Sequence, residues 1–532
     1  MPLRLYSTLS RKIETFVPLE PGRVTFYCCG PTVYDYVGIH NARTFVVFDV
    51  IRRYLEYRGY AVRFAQNVTD IDDKIIRRAN EQGADPIQWA KTYAEAYHSD
   101  MRRLRVRPPD VSPQATDTIP EIQALISRLM ERNAAYTTES GVYFRVDAFP
   151  EYGKLSGRTP DDVRAGARVE VDEEKRDARD FALWKRAKIG EPWWESAWGA
   201  GRPGWHIECS AMVMKHLGET IDIHAGGADL TFPHHENEIA QSETATGRPF
   251  ARYWLHGALM RVDGRRMGKS EGNFVRVRDA LDRYPVEAVR LYLLSAHYRK
   301  PLEYSTAAIE EHIPPVRRLN ACLDALEAYA GDASPLDTGH ALADLASSTR
   351  ERLTETVDDD LNFAGGLGVC FQFVTEANRF LAEHPVPDEN DRRAAASAFR
   401  FLEGVVDLFG LRTSEPAVEN ARLEPVVRMT LALRTRARSE RNWHVADALR
   451  RALTDSGVVV QDTRDGSTWS FEGSIPVDDA VERLVEAVIA LRTAAQERQD
   501  GTSADELRDA LASCGIALTD DATGTRWEWS TR

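Results

Sequence analysis

The sequence predicts an α/β protein built on a parallel sheet with an insertion, followed by an α-helical bundle and a small α+β module that appears duplicated. Three observations lead there. A strand–helix–strand pattern occupies residues 24–66, the chain turns almost wholly helical from Arg290 to about Phe409, and identities near the C-terminus recur at a fixed offset of 58 residues.

Val24 to Cys29 reads as a short buried strand, stopped by Gly30-Pro31. Between Asn41 and Leu55 apolar residues recur at helical spacing, and Gly59 provides an end. Ala61 to Gln66 alternates as a second strand. Strand, helix and strand in this order make a βαβ unit, whose first loop lies at the carboxyl edge of the sheet, where such folds bind nucleotides. Neither a GxGxxG fingerprint nor a GxxxxGK[ST] loop occurs there, so a nucleotide would be held by another device. Residues from about 108 to 200 read as an insertion, with Pro108, Pro109 and Pro113 at its entry and a charged stretch from Asp172 to Asp180. The parallel pattern resumes at Thr220 to His224. A helix opens near Pro233, and Tyr253 to Arg261 runs as a strand into a turn at Asp263-Gly264. Near the C-terminus Leu433-Arg434-Thr435 recurs as Leu491-Arg492-Thr493, Ala446-Asp447 as Ala504-Asp505, Gly457 as Gly515 and Trp469 as Trp527. Such a gapless match predicts a tandem helix–helix–strand–hairpin module. The expected divisions are an α/β domain over 1–300, a connecting segment over 301–340, a helical bundle over 341–415, and the two modules over 420–475 and 476–532.

Composition narrows the class further. With 532 residues, 43% of them hydrophobic, the chain is no collagen, coiled-coil rod, disulfide-stapled miniprotein or disordered polymer. It has no run of about 18 apolar residues, and Met1 to Ser7 lacks a basic-then-apolar export pattern, so a soluble cytoplasmic protein with no membrane partner is expected. The six cysteines are sparse and irregular, which favours reduced thiols or metal ligands over a disulfide framework. A net charge of −14 argues against nonspecific nucleic-acid binding, though not against a local basic patch.

Two constellations carry chemistry. In His234-His235-Glu236-Asn237-Glu238, helical spacing puts His234 and Glu238 on one face. Joined by thiolates such as Cys29 and Cys209, they would suit a tetrahedral zinc site. From spacing alone an ordinary buried cysteine beside a solvated helix start stands equally. The second is Arg266-Met267-Gly268-Lys269-Ser270-Glu271-Gly272-Asn273, whose cations could neutralise charge on a departing pyrophosphate or simply decorate a surface turn.

Cys29 to Asp35, Asn67 to Lys74, Gly204 to Ser210, Gly226 to Leu230, the His234–Glu238 run and Arg266 to Asn273 together resemble the cysteinyl-tRNA synthetases. The resemblance continues through Asp359 to Asn362 and Asn442-Trp443, covering nearly the whole chain. It implies a Rossmann-type class I catalytic domain over 1–300, a stem-contact-like segment at 301–340, and an anticodon-binding module at 420–475. The implied reaction activates L-cysteine with ATP, accompanied by Mg²⁺, to cysteinyl-adenylate and passes cysteine to tRNA-Cys, in a monomer. One Zn²⁺ per chain would be held by Cys29, Cys209, His234 and Glu238 and would bind the substrate thiolate. Thr69 and Trp205 would line the cysteine pocket. Gly38, His40, Asn41, Arg266, Met267 and Lys269 would bind ATP, with His40, Asn41 and Lys269 as catalytic residues. Strand alternation points Cys28 away from Cys29. Asp70, Asp72 and Asp73 are expected to cap and open a helix rather than to bind metal.

Two signatures depart from the family. Where it carries His-Ile-Gly-His or His-Ile-Gly-Asn, this chain reads Gly38-Ile39-His40-Asn41, as if histidine and glycine had changed places; His40 is expected to bend inward. Lys-Met-Ser-Lys-Ser is replaced by Arg266-Met267-Gly268-Lys269-Ser270, which reads as tolerated variation. For tRNA, Arg434, Arg436, Arg438 and Arg441 offer phosphate contacts. Trp443 either stacks on an anticodon base or anchors the module core. The second copy has Asp500-Gly501 in place of Asn442-Trp443, so it is expected to be an appendage, with deletion beyond about residue 475 sparing tRNA affinity. Two competing functions remain: a cysteine ligase acting on an amino-sugar, and a catalytically silent tRNA-binding paralogue.

Overall fold

The computed structural model describes residues 2–158, 174–268, 272–336, 338–412, 418–463, 466–471, 477–521 and 524–529, and the chain divides into two units, 1–412 and 413–532. In the first, a hairpin of β1 (Arg4–Ser7) and β2 (Lys12–Thr15) leads to β3 (Arg23–Cys28). Helix α1 (Ile39–Tyr57) then crosses to β4 (Ala61–Gln66), which runs parallel to β3 from Arg23↔Ala61 to Cys28↔Gln66. Helix α2 (Asp73–Glu81) starts where expected, because the Asp72 carboxylate accepts from the Lys74 amide at 2.9 Å.

The insertion is a domain-like layer of its own. After α3 (Pro86–Arg103) and α4 (Ile119–Glu131), strands β5 (Ala135–Thr137), β6 (Gly141–Phe144), β7 (Phe181–Arg186) and β8 (Gly201–Pro203) form one antiparallel sheet in chain order. The chain then re-enters the parallel sheet through α5 (Trp205–His216), β9 (Ile221–Gly227), α6 (Glu236–Thr246) and β10 (Ala251–Gly257). The resulting order is β10-β9-β3-β4, all parallel. Chain connections leave β3 toward β4 and β9 toward β10, on opposite sides, so the crevice between β3 and β9 is a topological switch point. Strand β3 feeds two cores: Val24, Phe26 and Cys28 pack with α1, whereas Tyr27 packs with Ile239 and Trp254 on the other face.

Strands β11 (Met260–Val262) and β12 (Arg265–Arg266) close a two-residue hairpin at Asp263 (φ 50°) and Gly264 (φ 74°), the left-handed pair such a turn needs. Beyond α7 (Val277–Leu281), α8 (Val286–Leu294), β13 (Leu302–Glu303) and α9 (Thr306–Glu310) come four long helices: α10 (Ile313–Ala330), α11 (Ala341–Asp358), α12 (Phe363–Glu383) and α13 (Glu389–Phe409). Asn362 caps α12, and an Asp388/Asp391 capping box opens α13.

A buried arginine fastens this bundle to the sheet layer. Arg290 on α8 is fully enclosed and donates to the Asp49 carboxylate (2.9 Å), the Leu104 carbonyl (2.7 Å) and the Phe409 carbonyl (3.0 Å). Burial pulls its guanidinium down to about 10, while Asp49 opposes the shift. Asp49→Ala leaves that charge enclosed without its counter-ion, and a loss of roughly 3–5 kcal/mol in chemical denaturation is expected.

The second unit bears out the repeat. Helices α14 (Val418–Ser439) and α15 (Trp443–Asp455) and the hairpin β14 (Val458–Thr463)–β15 (Gly466–Phe471) are followed by α16 (Val477–Glu497), α17 (Gly501–Ser513) and the hairpin β16 (Ile516–Asp521)–β17 (Gly524–Trp529). Arg441 (φ 58°) and Gln499 (φ 60°) make the same left-handed step, and Asn442 and Asp500 then cap α15 and α17 through the amides of Val445 and Ser503. The copies are not independent beads. Leu423, Val427, Leu449 and Leu453 of the first share a single core with Ala480, Val481, Leu484 and Val488 of the second. Each copy thus covers apolar side chains of the other.

Candidate active site

A cavity of about 700 Å³ opens at the carboxyl edge of the sheet, where β3 and β9 end. Its lining brings together segments far apart in sequence: Cys29 after β3, Thr69 after β4, Trp205 and Cys209 on α5, and His234 before α6. His40 and Asn41 from the start of α1 line it too, as do Arg266, Met267 and Gly268 beyond β11.

The chain reaches these positions by tight local geometry. Gly30 passes so close to the next strand's exit that an added Cβ would lie 1.7 Å from the Asn67 carbonyl oxygen, and Asn67 Oδ1 accepts from the Gly30 amide at 2.8 Å. Only glycine permits that turn, which sets Cys29 at the mouth of β3. Residues Thr231–His235 form one wide turn, broken at Phe232, before α6 begins at Glu236. The predicted pair survives this irregularity, with His234 Nε2 3.1 Å from Glu238 Oε1.

Cys29, Cys209, His234 and Glu238 are all buried, and one ligand atom from each lies within 4.8 Å of the others. The two sulfurs are 3.9 Å apart, and Cys29 Sγ stands 3.6 Å from Glu238 Oε1. Burial holds the Cys29 thiol and the Glu238 carboxyl well above their ordinary values and pushes His234 well below its own. Two cysteine sulfurs, an imidazole and a carboxyl group make the donor set of a zinc site, and a dication would supply the charge that favours deprotonated ligands. The solvated-helix reading of the His234–Glu238 run fails, since all five residues are buried. Glu236 accepts the Ser156 amide at 2.8 Å, and Asn237 accepts the Tyr152 hydroxyl at 2.5 Å.

A layer of histidines behind this group escaped the sequence reading. His224 Nε2 lies 2.9 Å from Glu238 Oε2, and His235 Nε2 lies 3.3 Å from Cys29 Sγ. His235 Nδ1 is 2.8 Å from His256 Nε2, and His206 Nδ1 is 3.0 Å from His234 Nδ1. Burial takes His206, His224 and His256 each down to about 3, so these rings are neutral. Cys29, His224, His235 and Glu238 thus make a second four-donor group that shares two members with the first. Of the members the two groups do not share, Cys209 and His234 line the cavity, whereas His224 and His235 do not. The available signal was the placement of His224 and His256 on adjacent buried strands β9 and β10.

The remaining predicted residues fall into three groups. Thr69 lines the cavity and accepts from Asn67 Nδ2 at 3.1 Å, while the Trp205 ring stacks on His234 with centroids 4.2 Å apart. Cys28 sits in the opposite core from Cys29, as alternation requires. Gly38 is the N-cap of α1, and Arg266 pairs with Asp229 at 2.8 Å. Asn273, not singled out from sequence, ties the base of the second loop by accepting the Gly268 amide and donating to the Arg266 carbonyl, both at 3.0 Å. Lys269 lies outside the described residues. In the C-terminal unit Arg438, Arg441 and Trp443 are exposed, Trp443 at 60%, which removes the reading of Trp443 as a core anchor. Arg434 is buried and therefore leaves the proposed phosphate-contacting set. Its counterpart Arg492 is likewise buried and grips Asp520 at 2.6 Å.

Comparison with known proteins agrees with this arrangement. The family model described as the class I (C) tRNA synthetase catalytic domain matches residues 15–313, a DALR domain matches 352–413, and the cysteinyl-tRNA ligase anticodon binding domain matches 423–469. A cysteine–tRNA ligase of Symbiobacterium thermophilum is 50% identical over 475 residues, covering 88% of this chain and 99% of that one. One from Geobacter sulfurreducens is 44% identical over 533 residues, covering 99% of this chain and 100% of its own. The methionyl-tRNA synthetase of Mycobacterium tuberculosis shares the fold, with a TM-score of 0.55 at 16% identity, covering 76% of this chain and 94% of that one. The matched segments run from the parallel sheet through the helical bundle to the first C-terminal module, and on that basis the chain belongs to the cysteine–tRNA ligase family of class I aminoacyl-tRNA synthetases.

Proposed function

We propose that this protein is a cysteine–tRNA ligase acting as a monomer in the cytoplasm. The carboxylate of L-cysteine attacks the α-phosphorus of Mg²⁺-bound ATP, the bond to the β-phosphate breaks, and pyrophosphate leaves. A ribose hydroxyl of the terminal adenosine of tRNA-Cys then attacks the acyl carbon, and AMP departs. The observation that carries this reading is the gathering of Cys29, Cys209, His234 and Glu238, the first three of which line a cavity together with Thr69 and Trp205. Those four side chains would hold Zn²⁺, which would supply a soft contact for the substrate sulfur that the harder oxygen of serine does not replace.

The chain's own residues do the rest. Trp205 stacks on His234 and fixes its ring plane, and Thr69 offers a hydroxyl whose position Asn67 sets. His40 and Asn41, at the N-terminal end of α1, meet the nucleotide where backbone N–H groups and the helix dipole favour phosphate. Arg266 and Lys269 neutralise the departing pyrophosphate. Apolar shape alone separates near-isosteres by only about 1–3 kcal/mol, so a sulfur-specific contact makes a separate editing site unnecessary. No helix among the described residues is long and apolar enough to cross a membrane. On the C-terminal unit, exposed Arg438 and Arg441 take phosphates and Trp443 stacks on an anticodon base.

Two assays test the proposal. Cysteine should drive exchange of pyrophosphate into ATP, and tRNA-Cys should be cysteinylated, with serine inert in both. Exchange without tRNA charging would instead favour transfer to an amino-sugar. Absence of both would mark a silent paralogue.

A further inference from the structure

The exchanged signature Gly38-Ile39-His40 has a geometric counterpart. A Cβ built on Gly38 would lie 2.6 Å from both Nδ1 and Cε1 of His40, and 2.5 Å from Cε2 of Phe274. The imidazole of residue 40 thus stands in the space that a side chain on residue 38 would fill. Phe274 holds it from the other side, edge to face, with ring centroids 5.8 Å apart. The clamp is fixed by backbone: the Ile39 amide donates to the Val275 carbonyl, and the Val277 amide to the Val37 carbonyl, both at 2.9 Å. Any side chain at position 38 displaces the ring, since the bridge between Gly38 and Arg276 leaves the backbone no room to retreat, whereas without the imidazole the Phe274 ring can turn into the space it leaves. His40 and Asn41 face the cavity from the first turn of the 19-residue helix α1, opposite no acidic side chain of that turn.

From this we infer that Gly38 and His40 operate as one exchanged pair. His40 delivers to the nucleotide's phosphate chain the imidazole that position 38 would otherwise carry, and Gly38 exists to give that ring its place. Loss of the ring removes a hydrogen-bond donor from the charge that develops as pyrophosphate departs. This rests on the proposed ligase reaction, and it makes a claim about side-chain dependence that the reaction itself does not require.

The test is a mutant cycle read by cysteine-dependent pyrophosphate exchange on the full-length, zinc-loaded enzyme. His40→Ala should lower kcat roughly 10²–10³-fold, the range for removing one donor of this kind. Cysteine KM should stay within about threefold, because the ring is assigned to the phosphate chain and not to the amino acid. Gly38→Ala should be similarly harmful when His40 is present and nearly neutral in the His40→Ala background. The exchange Gly38→His/His40→Gly should recover activity to within about tenfold of the parent, although each single change is severe. The proposal is overturned if His40→Ala keeps its kcat, or if Gly38→Ala costs as much without the imidazole as with it. Thermal denaturation of the same four proteins separates this from failure of the ligase reading. Even in an enzyme that exchanges nothing, Gly38→Ala must lower Tm only where His40 is present; equal shifts in both backgrounds also overturn the pairing.

Discussion

Replacing Cys209 by serine is expected to strip zinc from the protein and to lower kcat/KM for cysteine in pyrophosphate exchange by about 10³-fold, the scale of several kcal/mol of lost Lewis-acid contact. Serine preserves the size of the side chain inside α5, so the packing around Ile207 and Ala211 should stand, while a neutral hydroxyl replaces the softest class of zinc ligand. The structure also sets up a discriminating control. His235 belongs to the deeper donor group with His224, and it reaches Cys29 Sγ at 3.3 Å without lining the cavity. His235→Ala should therefore retain stoichiometric zinc, measured by metal analysis of the purified protein, and lose only part of its affinity. Zinc retained by Cys209→Ser but lost from His235→Ala would move the ion to the deeper group and out of reach of a substrate sulfur.

Truncation after residue 475 should abolish tRNA charging while sparing pyrophosphate exchange. The second copy contributes Ala480, Val481, Leu484, Val485, Val488, Leu511 and Ile516 to the common core, each nearly or fully enclosed. Burying a Val, Leu or Ile side chain is worth roughly 1.5–3 kcal/mol, so removing these six together takes away much of the stability a domain of this size possesses. Further ties go with them: Arg436 loses Glu506 at 2.9 Å, and the Asp455 carbonyl loses the Arg483 guanidinium at 2.9 Å. Protease digestion should then cut the first copy readily in the truncated chain and not in the parent. A truncated protein that charges tRNA-Cys at parental rates would show that the first copy holds its fold alone.

Much of this architecture could be read from residue order because local and global signals agree. Ala61 to Gln66 alternates and became β4 without a shift, and Asp72 caps α2 as its position suggested. The repeat was legible because Leu433-Arg434-Thr435, Gly457 and Trp469 recur at one offset as Leu491-Arg492-Thr493, Gly515 and Trp527. The histidine layer was not. His206, His224, His235 and His256 come from two strands and two helix starts, and only the packing of those helix starts against β9 and β10 brings the rings together. Likewise Arg434 carries the same letter as its exposed neighbours, and its burial is decided by which face of α14 meets the shared core. Asn273 acts across a loop, binding Gly268 and Arg266, which no periodicity encodes.

Arg290 has a mechanical meaning beyond the stability it lends. One planar group holds the first catalytic helix, the end of α3 and the last residue of the bundle, so these three bodies share a single pivot with little play. A tilt of the four-helix stack cannot be absorbed by sliding there, because each degree of rotation stretches a contact to an enclosed charge. The placement of the helix bearing His40 and Asn41 is thereby tied to that of the four-helix stack through one enclosed charge.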